Sequence, residues 1–349
     1  MGSKVKGSTV EILGSAPLLQ VPPRMSTESG ARNNDEHYHK EEHQINQKVP
    51  NHNKILTSLM AGAMAGAIAK TTIAPLDRTK INFQISNTRY SARNCVQFLY
   101  QSWKQEGLLS LWRGNSATMA RIIPYASIQY AAHEQYKRLL NRDRRKKHLP
   151  PGLRFTAGAL AGVTSVACTY PLDMVRARMA VTKKCRYHNL PQVFMAVYRE
   201  EGFRTLYRGF TPTILGAIPY SGTSFFTYET LKKFHAEYAK GRNPTPVERL
   251  LFGAVAGLLG QTMSYPLDIV RRRMQTAGVT GHGNDYTSIM TTARKVILEE
   301  GFIRGMYKGL SLNWIKGPIA VGVSFSTFDT VQHYLRKVWV VLYDDDEAS

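Results

Sequence analysis

Three pairs of opposite charges recur along the sequence at one fixed spacing. In each pair an acid follows a proline by two residues, and a base follows the acid by three residues. The pairs are Asp77/Lys80, Asp173/Arg176 and Asp268/Arg271. A separation of three residues places both charges on one face of a helix, and the proline bends the helix that carries them. Because the pattern occurs three times, it predicts a ring of ion pairs that joins three bent helices at one end of a bundle.

Three further cations, Lys70, Arg121 and Lys316, lie inside apolar segments, and no acid lies at matching depth in any of these segments. A base near the centre of a membrane helix costs about 2.5–3.5 kcal/mol on insertion scales, so it normally faces a cavity and a partner. We therefore expect the three cations to bind a cargo that carries several negative charges. The alternative is that they reach lipid headgroups or pair with backbone carbonyls.

Six apolar segments position these charges. They cover residues 55–76, 114–132, 155–172, 209–228, 250–267 and 310–328. Each is long enough to cross a bilayer as a helix, and each is rich in the small residues that suit helices packed around a polar cavity. Charged loops and a wet interior then account for the mean hydropathy of −0.29. The polar residues 1–53 are predicted to form a disordered tail.

The segments belong to three tandem repeats. Pro75, Pro171 and Pro266 are 96 and 95 residues apart, and a GxxxG motif precedes each of them. Farther along come "EGLLSLWRG", "EGFRTLYRG" and "EGFIRGMYKG". We therefore predict an all-α membrane protein with six transmembrane helices, pseudo-threefold symmetry and a short helix inside each repeat. The predicted repeats cover 54–145, 152–240 and 246–338, and a C-terminal tail covers 339–349.

This triplicated pattern, P-x-D-x-x-[KR] followed by EG-x4-[WY]-R-G, resembles the mitochondrial carrier family over about residues 54–338. Within that family, "LLSLWRGNSATMARIIPYASIQYAAHEQYKR", "SYPLDIVRRRMQTAGVTG" and "LNWIKGPIAVGVSFSTFD" are most similar to the coenzyme A transporters. The resemblance implies a carrier of the mitochondrial inner membrane, not an enzyme, that works by alternating access and needs no cofactor or metal. Its cargo would be coenzyme A and related adenine nucleotides, such as dephospho-coenzyme A, ADP and adenosine 3′,5′-bisphosphate.

The resemblance also implies a monomer in contact with inner-membrane lipids, including cardiolipin, with short helices on the matrix side and both termini in the intermembrane space. Exchange of another adenine nucleotide remains open as an alternative, as in the ATP-Mg/phosphate or ADP/ATP carriers.

The resemblance assigns roles to individual residues. The implied substrate contacts are Lys70, Arg121, Gly216, Ala217, Tyr220, Ser264 and Lys316. At Gly216–Ala217 the small side chains would let an adenine ring approach the backbone, although Tyr220 and Ser264 could equally serve helix packing. The charges after the prolines would form the matrix gate, which the amides Gln84 and Gln275 brace.

Ala180 stands where a third brace would be. The implied cytoplasmic gate comprises Glu134, Lys137, Glu229, Lys232, Asp329 and Gln332. Gln332 occupies a position where a base is usual, so we expect this gate to be the weaker one.

Other function classes fit the sequence less well. A net charge of +21 suggests an anionic partner, but a nucleic-acid-binding protein would cluster its bases on one helix face. Here the bases are spread over loops around six apolar spans. The sequence contains no HExxH motif, no CxxC motif and no phosphate-binding glycine loop, so none of these motifs supports a membrane enzyme. An uncoupling or orphan carrier without a nucleotide cargo would not explain Lys70, Arg121 and Lys316.

Overall fold

The computed structural model describes residues 51–141, 150–183, 186–239, 242, 244–283 and 285–347, and the regular structure of this part of the chain is helical. The predicted disordered tail therefore lies outside the described residues as far as residue 50. The first helix already begins at Asn51, three residues inside the predicted tail.

Each repeat consists of two long helices with a short one between them. The first repeat comprises α1 (Asn51–Ile85), α2 (Ala92–Glu106), a 3₁₀ turn (Leu108–Trp112) and α3 (Asn115–Leu140). The second comprises α4 (Pro151–Val181), α5 (Leu190–Glu201), a 3₁₀ turn (Phe203–Tyr207) and α6 (Phe210–Tyr238). The third comprises α7 (Pro246–Thr276), α8 (Ile289–Glu300), α9 (Phe302–Met306) and α10 (Leu310–Glu347). This order confirms the predicted fold class of six long helices in three repeats.

Three of the long helices are apolar and long enough to cross a membrane by composition alone, over Leu56–Ile85, Gly152–Val181 and Pro246–Thr276. These segments belong to α1, α4 and α7, which carry the proline motifs. The partner helices α3, α6 and α10 are not among these spans in the described part of the chain, and two of them carry a cation in their apolar segment, Arg121 in α3 and Lys316 in α10. They gain their place in the bundle from packing against the apolar helices.

The long helices close into a ring. Helix α3 packs along α4, α6 along α7, and the last helix, α10, along the first, α1. Small residues allow close contact: a Cβ atom added to Gly260 on α7 would lie 2.0 Å from the Ser224 hydroxyl on α6. The bundle of long helices encloses a central cavity, and the proline motifs of α1, α4 and α7 meet at one end of this cavity.

Each repeat has one glycine in its EG motif and another at the end of its WRG, YRG or YKG motif. These glycines lie where one helix ends and the next begins. Gly107, Gly202 and Gly301 have φ values of 83–85°, a conformation that only glycine adopts without strain. The C-terminal tail predicted from residue 339 is instead helical as far as Glu347. The reason is that no glycine or proline follows Gly322 within this helix to end it.

Candidate functional site

The six charges that follow the prolines form three ion pairs between helices, which we call the proline-end ring. In each pair the basic side chain of one repeat bonds the aspartate of another repeat. The N···O distances are 2.6 Å for Arg176–Asp77, 2.5 Å for Arg271–Asp173 and 2.8 Å for Lys80–Asp268. The ring thus links α1 to α4, α4 to α7 and α7 to α1. Asp77 and Asp173 are buried, so these two acids of the ring lie in the interior of the bundle.

Two of the three ion pairs carry an amide brace. Gln84 donates to Asp268 Oδ2 at 3.0 Å and to the Tyr265 hydroxyl at 3.3 Å, and that hydroxyl donates to the Lys308 carbonyl at 2.7 Å. The second brace repeats the arrangement: Gln275 donates to Asp173 (2.9 Å) and to the Tyr170 hydroxyl (3.0 Å), which donates to the Arg208 carbonyl (3.1 Å). Each brace therefore anchors a carboxylate of the proline-end ring to the turn that precedes a long helix.

The third ion pair, Arg176–Asp77, lacks both parts of this brace. Ala180 replaces the glutamine, as the sequence indicated, and Ala74 replaces the tyrosine. Both alanines line a cavity of about 10 Å³ beside the ion pair, a volume close to that of one water molecule. The loss of the tyrosine escaped the sequence analysis, although the contrast between "APLD" and the two "YPLD" motifs signals it.

A second set of arginines ties the short helices to the long ones. Arg78, Arg178 and Arg273 bond the glutamates of the EG motifs, which are Glu106, Glu201 and Glu300 respectively. Their Nε atoms also donate to the backbone carbonyls of Ala180, Gln275 and Gln84 respectively. Each arginine thus joins two repeats directly below the proline-end ring. The sequence analysis had assigned no role to this set.

Two of the three predicted cavity cations pair with acids of the ring. Lys316 Nζ lies 2.8 Å from Asp77 Oδ1, and Arg121 Nη1 lies 3.3 Å from Asp173 Oδ1. The expectation that these cations lack an acidic partner is therefore wrong. Each cation bonds an acid on the neighbouring long helix, Arg121 of α3 on α4 and Lys316 of α10 on α1, and positions along a single helix do not reveal such a contact.

Lys70 differs from the other two cavity cations. Its side chain is exposed, and it forms no salt bridge with another residue of the described ranges. Its charge nevertheless interacts with those of Lys316, Asp77, Arg176 and Arg121. Seven cations and three carboxylates of the described chain meet around this end of the cavity: Lys70, Lys80, Arg121, Arg176, Arg271, Arg272 and Lys316, with Asp77, Asp173 and Asp268. Four positive charges remain in excess.

A pocket of about 360 Å³ opens beside the ring between α6, α7 and α10. Five of the predicted substrate contacts line it, namely Gly216, Ala217, Tyr220, Ser264 and Lys316. Three charged residues of the proline-end ring also line it, namely Lys80, Asp268 and Arg271. Its volume lies within the range of small-molecule sites, and its walls offer both uncharged surface and cations.

The residues predicted for the opposite end, which we call the opposite-end set, are arranged differently. Two ion pairs described in this set lie within single helices, Glu134–Lys137 at 3.2 Å and Glu229–Lys232 at 3.9 Å. The four side chains are 32–49% exposed. Gln332 donates to Ser58 Oγ at 2.9 Å and thereby joins α10 to α1, and Asp329 is exposed one turn before it. These two ion pairs do not link helices across the mouth of the cavity.

Comparisons with known proteins agree with this architecture. The family model described as mitochondrial carrier protein matches residues 51–144, 147–239 and 242–338. The mitochondrial coenzyme A transporter SLC25A42 of Xenopus tropicalis is 61% identical over 296 residues, which cover 84% of this chain and 90% of the relative. The human protein of that name is 60% identical over 289 residues, 82% of this chain and 90% of the relative.

A more distant relative is solute carrier family 25 member 16 of Bos taurus, which is 41% identical over 297 residues, 80% of this chain and 89% of the relative. The family model covers most of the sequence in three consecutive matches. The chain therefore belongs to the mitochondrial carrier family.

Proposed function

We propose that this protein is a carrier of the mitochondrial inner membrane that exchanges coenzyme A and related adenine nucleotides. The observation that carries the proposal is the excess of four positive charges at the closed end of the cavity, beside a pocket with uncharged walls. Coenzyme A brings a diphosphate, a 3′-phosphate and a flat base, and a phosphate monoester alone carries about −1.5 to −2 charges at neutral pH. The names of the relatives with 60–61% identity support this cargo.

The cargo would compete with the ring for the same cations. Phosphate groups bound to Lys316 and Arg121 would draw these side chains away from Asp77 and Asp173. A buried carboxylate that loses a cationic partner is strongly destabilised. Binding of the cargo would therefore weaken the closed ring and favour the alternate state, in which the cavity opens toward the other side.

The adenine base of the cargo would occupy the pocket between α6, α7 and α10, which we call the base pocket. The Gly216–Ala217 step leaves room for a planar ring, Tyr220 is available for stacking, and the Ser264 hydroxyl for a hydrogen bond. The phosphates would then extend toward Lys316, Arg121 and Lys70. In this reading the proline-end ring is the matrix gate, the opposite-end set is the cytoplasmic gate, and both termini lie in the intermembrane space.

Exchange of another adenine nucleotide, of the ATP-Mg/phosphate or ADP/ATP kind, is the second candidate. The charge excess and the base pocket suit those cargoes too, and only the similarity to the coenzyme A transporters favours the first. We also propose that the carrier acts as a monomer and that cardiolipin contacts it through the short helices.

Uptake into liposomes tests the proposed cargo. The full chain is reconstituted into liposomes preloaded with coenzyme A, and uptake of labelled coenzyme A is followed in the presence of dephospho-coenzyme A, ADP, ATP or phosphate. We expect rapid uptake that dephospho-coenzyme A inhibits strongly and phosphate does not. Active ADP/ATP exchange without coenzyme A uptake would overturn the proposal, and liposomes without protein provide the background.

A further inference from the structure

Two amide side chains with no assigned role face each other in the base pocket. Gln261 lies on α7, three residues before Ser264, and Asn313 lies on α10, three residues before Lys316. Both residues line the pocket of about 360 Å³. Asn313 Nδ2 donates a hydrogen bond of 3.0 Å to Gln261 Oε1. We call these two residues the amide pair.

The bond between the two amides leaves one polar atom of each side chain available. An amide group has a carbonyl acceptor and an NH₂ donor, so Asn313 retains its Oδ1 acceptor and Gln261 its Nε2 donor. Within the described part of the chain these two atoms make no further hydrogen bond to side chains or backbone. Neither atom is both fully buried and unsatisfied, so both remain accessible to a ligand in the pocket.

An acceptor and a donor in the same pocket can together complement adenine. Adenine presents its N6 amino group as a donor next to a ring nitrogen that accepts, and asparagine or glutamine side chains recognise this edge in nucleic acids. Guanine and hypoxanthine present a carbonyl oxygen at position 6 instead, which would meet the Asn313 acceptor. The amide pair therefore favours one class of purine.

The position of the amide pair suits an edge contact. The Gly216–Ala217 step lies on α6, whereas the amide pair lies on α7 and α10. A planar ring lying against the α6 wall turns its edge toward the other two helices. Lys316 is one helical turn from Asn313, so a phosphate could reach the cation while the base contacts the amides.

We propose that Gln261 and Asn313 together read the edge of the adenine base and discriminate against 6-oxopurines. This inference rests on the proposed function, since it assigns base specificity to the same site. The two residues were not among the sequence-predicted contacts, because each is an isolated amide without a counterpart pattern in the other repeats.

The test uses coenzyme A and its analogue in which adenine has been deaminated to hypoxanthine, a pair that shares all phosphates and the pantetheine arm. Each is titrated against uptake of labelled coenzyme A into the proteoliposomes. For the wild-type chain we expect the analogue to inhibit about tenfold more weakly than coenzyme A, which is within the range for loss of a base-edge contact. In Asn313→Leu and Gln261→Met we expect this ratio to fall to about twofold or less. The matched control Gln101→Met, on the exposed surface of α2, should keep the wild-type ratio.

The outcomes separate the two proposals. If the wild-type chain takes up no coenzyme A, the proposed function fails. If it takes up coenzyme A but does not distinguish the analogue, the amide-pair inference alone is overturned, whatever happens to the variants. If coenzyme A and the analogue inhibit both variants more weakly in parallel and keep the wild-type ratio, the amides serve only helix packing, which also contradicts the inference.

Discussion

The two ends of the central cavity use similar residue types in opposite ways. At the proline end, three buried ion pairs connect helices of different repeats, at 2.5–2.8 Å. At the other end, the ion pairs Glu134–Lys137 and Glu229–Lys232 lie along single helices and are half-exposed. Exposed pairs of this kind contribute little to stability. The ion pairs described at the proline end therefore join different repeats, whereas the two described at the opposite end each stay within one helix.

A second contrast exists within the proline-end ring itself. The pairs around Asp173 and Asp268 each have a glutamine and a tyrosine, whereas the pair at Asp77 has two alanines and a small cavity. Asp77 also contacts Lys316, just as the braced Asp173 also contacts Arg121. The pair Arg176–Asp77 thus differs from the other two pairs by the missing brace.

The largest effect is expected from removing a cation that the ring and the cargo share. Lys316→Ala and Arg121→Ala should each reduce coenzyme A uptake by more than about tenfold, because truncating one partner of a buried charged contact costs several kcal/mol. Lys70→Ala should have a comparable effect through the cargo alone. The matched control Lys137→Ala, at the exposed end, should reduce uptake far less. Near-normal uptake by all three cavity variants would refute the substrate-site assignment.

A large effect on stability is expected at Asp173, which is fully buried and pairs with Arg121, Arg271 and Arg272. Asp173→Asn keeps the shape but leaves these cations without their charge partner. The free energy of unfolding should fall by about 3–5 kcal/mol, as for other broken buried pairs, and thermal unfolding in detergent measures it. Glu134→Gln provides the exposed counterpart, with little change expected. An equal loss in the two variants would erase the difference between the ends.

A smaller effect is expected from restoring the missing brace. Ala180→Gln should add hydrogen bonds at the Arg176–Asp77 pair, with a gain of about 1 kcal/mol in stability and slower coenzyme A exchange. Ala180→Leu fills a similar volume without a hydrogen-bonding group and serves as the control. If leucine stabilises the protein and slows exchange as much as glutamine does, the effect comes from packing and the brace has no special role.

The smallest effect is expected at the opposite-end set. Gln332→Lys supplies the base that the third repeat lacks, and it should slow coenzyme A exchange by about twofold, since a solvated ion pair contributes at most about 1 kcal/mol. Gln332→Met also loses the hydrogen bond to Ser58 but adds no charge. An unchanged or faster rate in the lysine variant would contradict a gating role for this set.

Signals that recur in phase in the sequence predict the frame of this molecule, whereas several contacts between helices are not predictable from the sequence. The six long helices and the charges at Asp77, Asp173 and Asp268 are predictable because each signal appears three times in phase. The Lys316–Asp77 contact is not, because it depends on side-chain reach between helices that are distant in sequence. The amide pair is missed for a related reason: Gln261 and Asn313 meet only after α10 has closed the bundle.

The central claim is that the cargo and the closed ring share Lys316 and Arg121, so that binding of the cargo loosens the ring. Spin labels on Asn87 and Lys183, two exposed residues just beyond α1 and α4, report the separation of these helices by electron–electron double resonance in lipid nanodiscs. The three native cysteines, Cys95, Cys168 and Cys185, are first replaced by serine. We predict that saturating coenzyme A adds a population with a longer distance, that phosphate does not, and that Lys316→Ala suppresses the change. An unchanged distance distribution with coenzyme A bound would contradict the account.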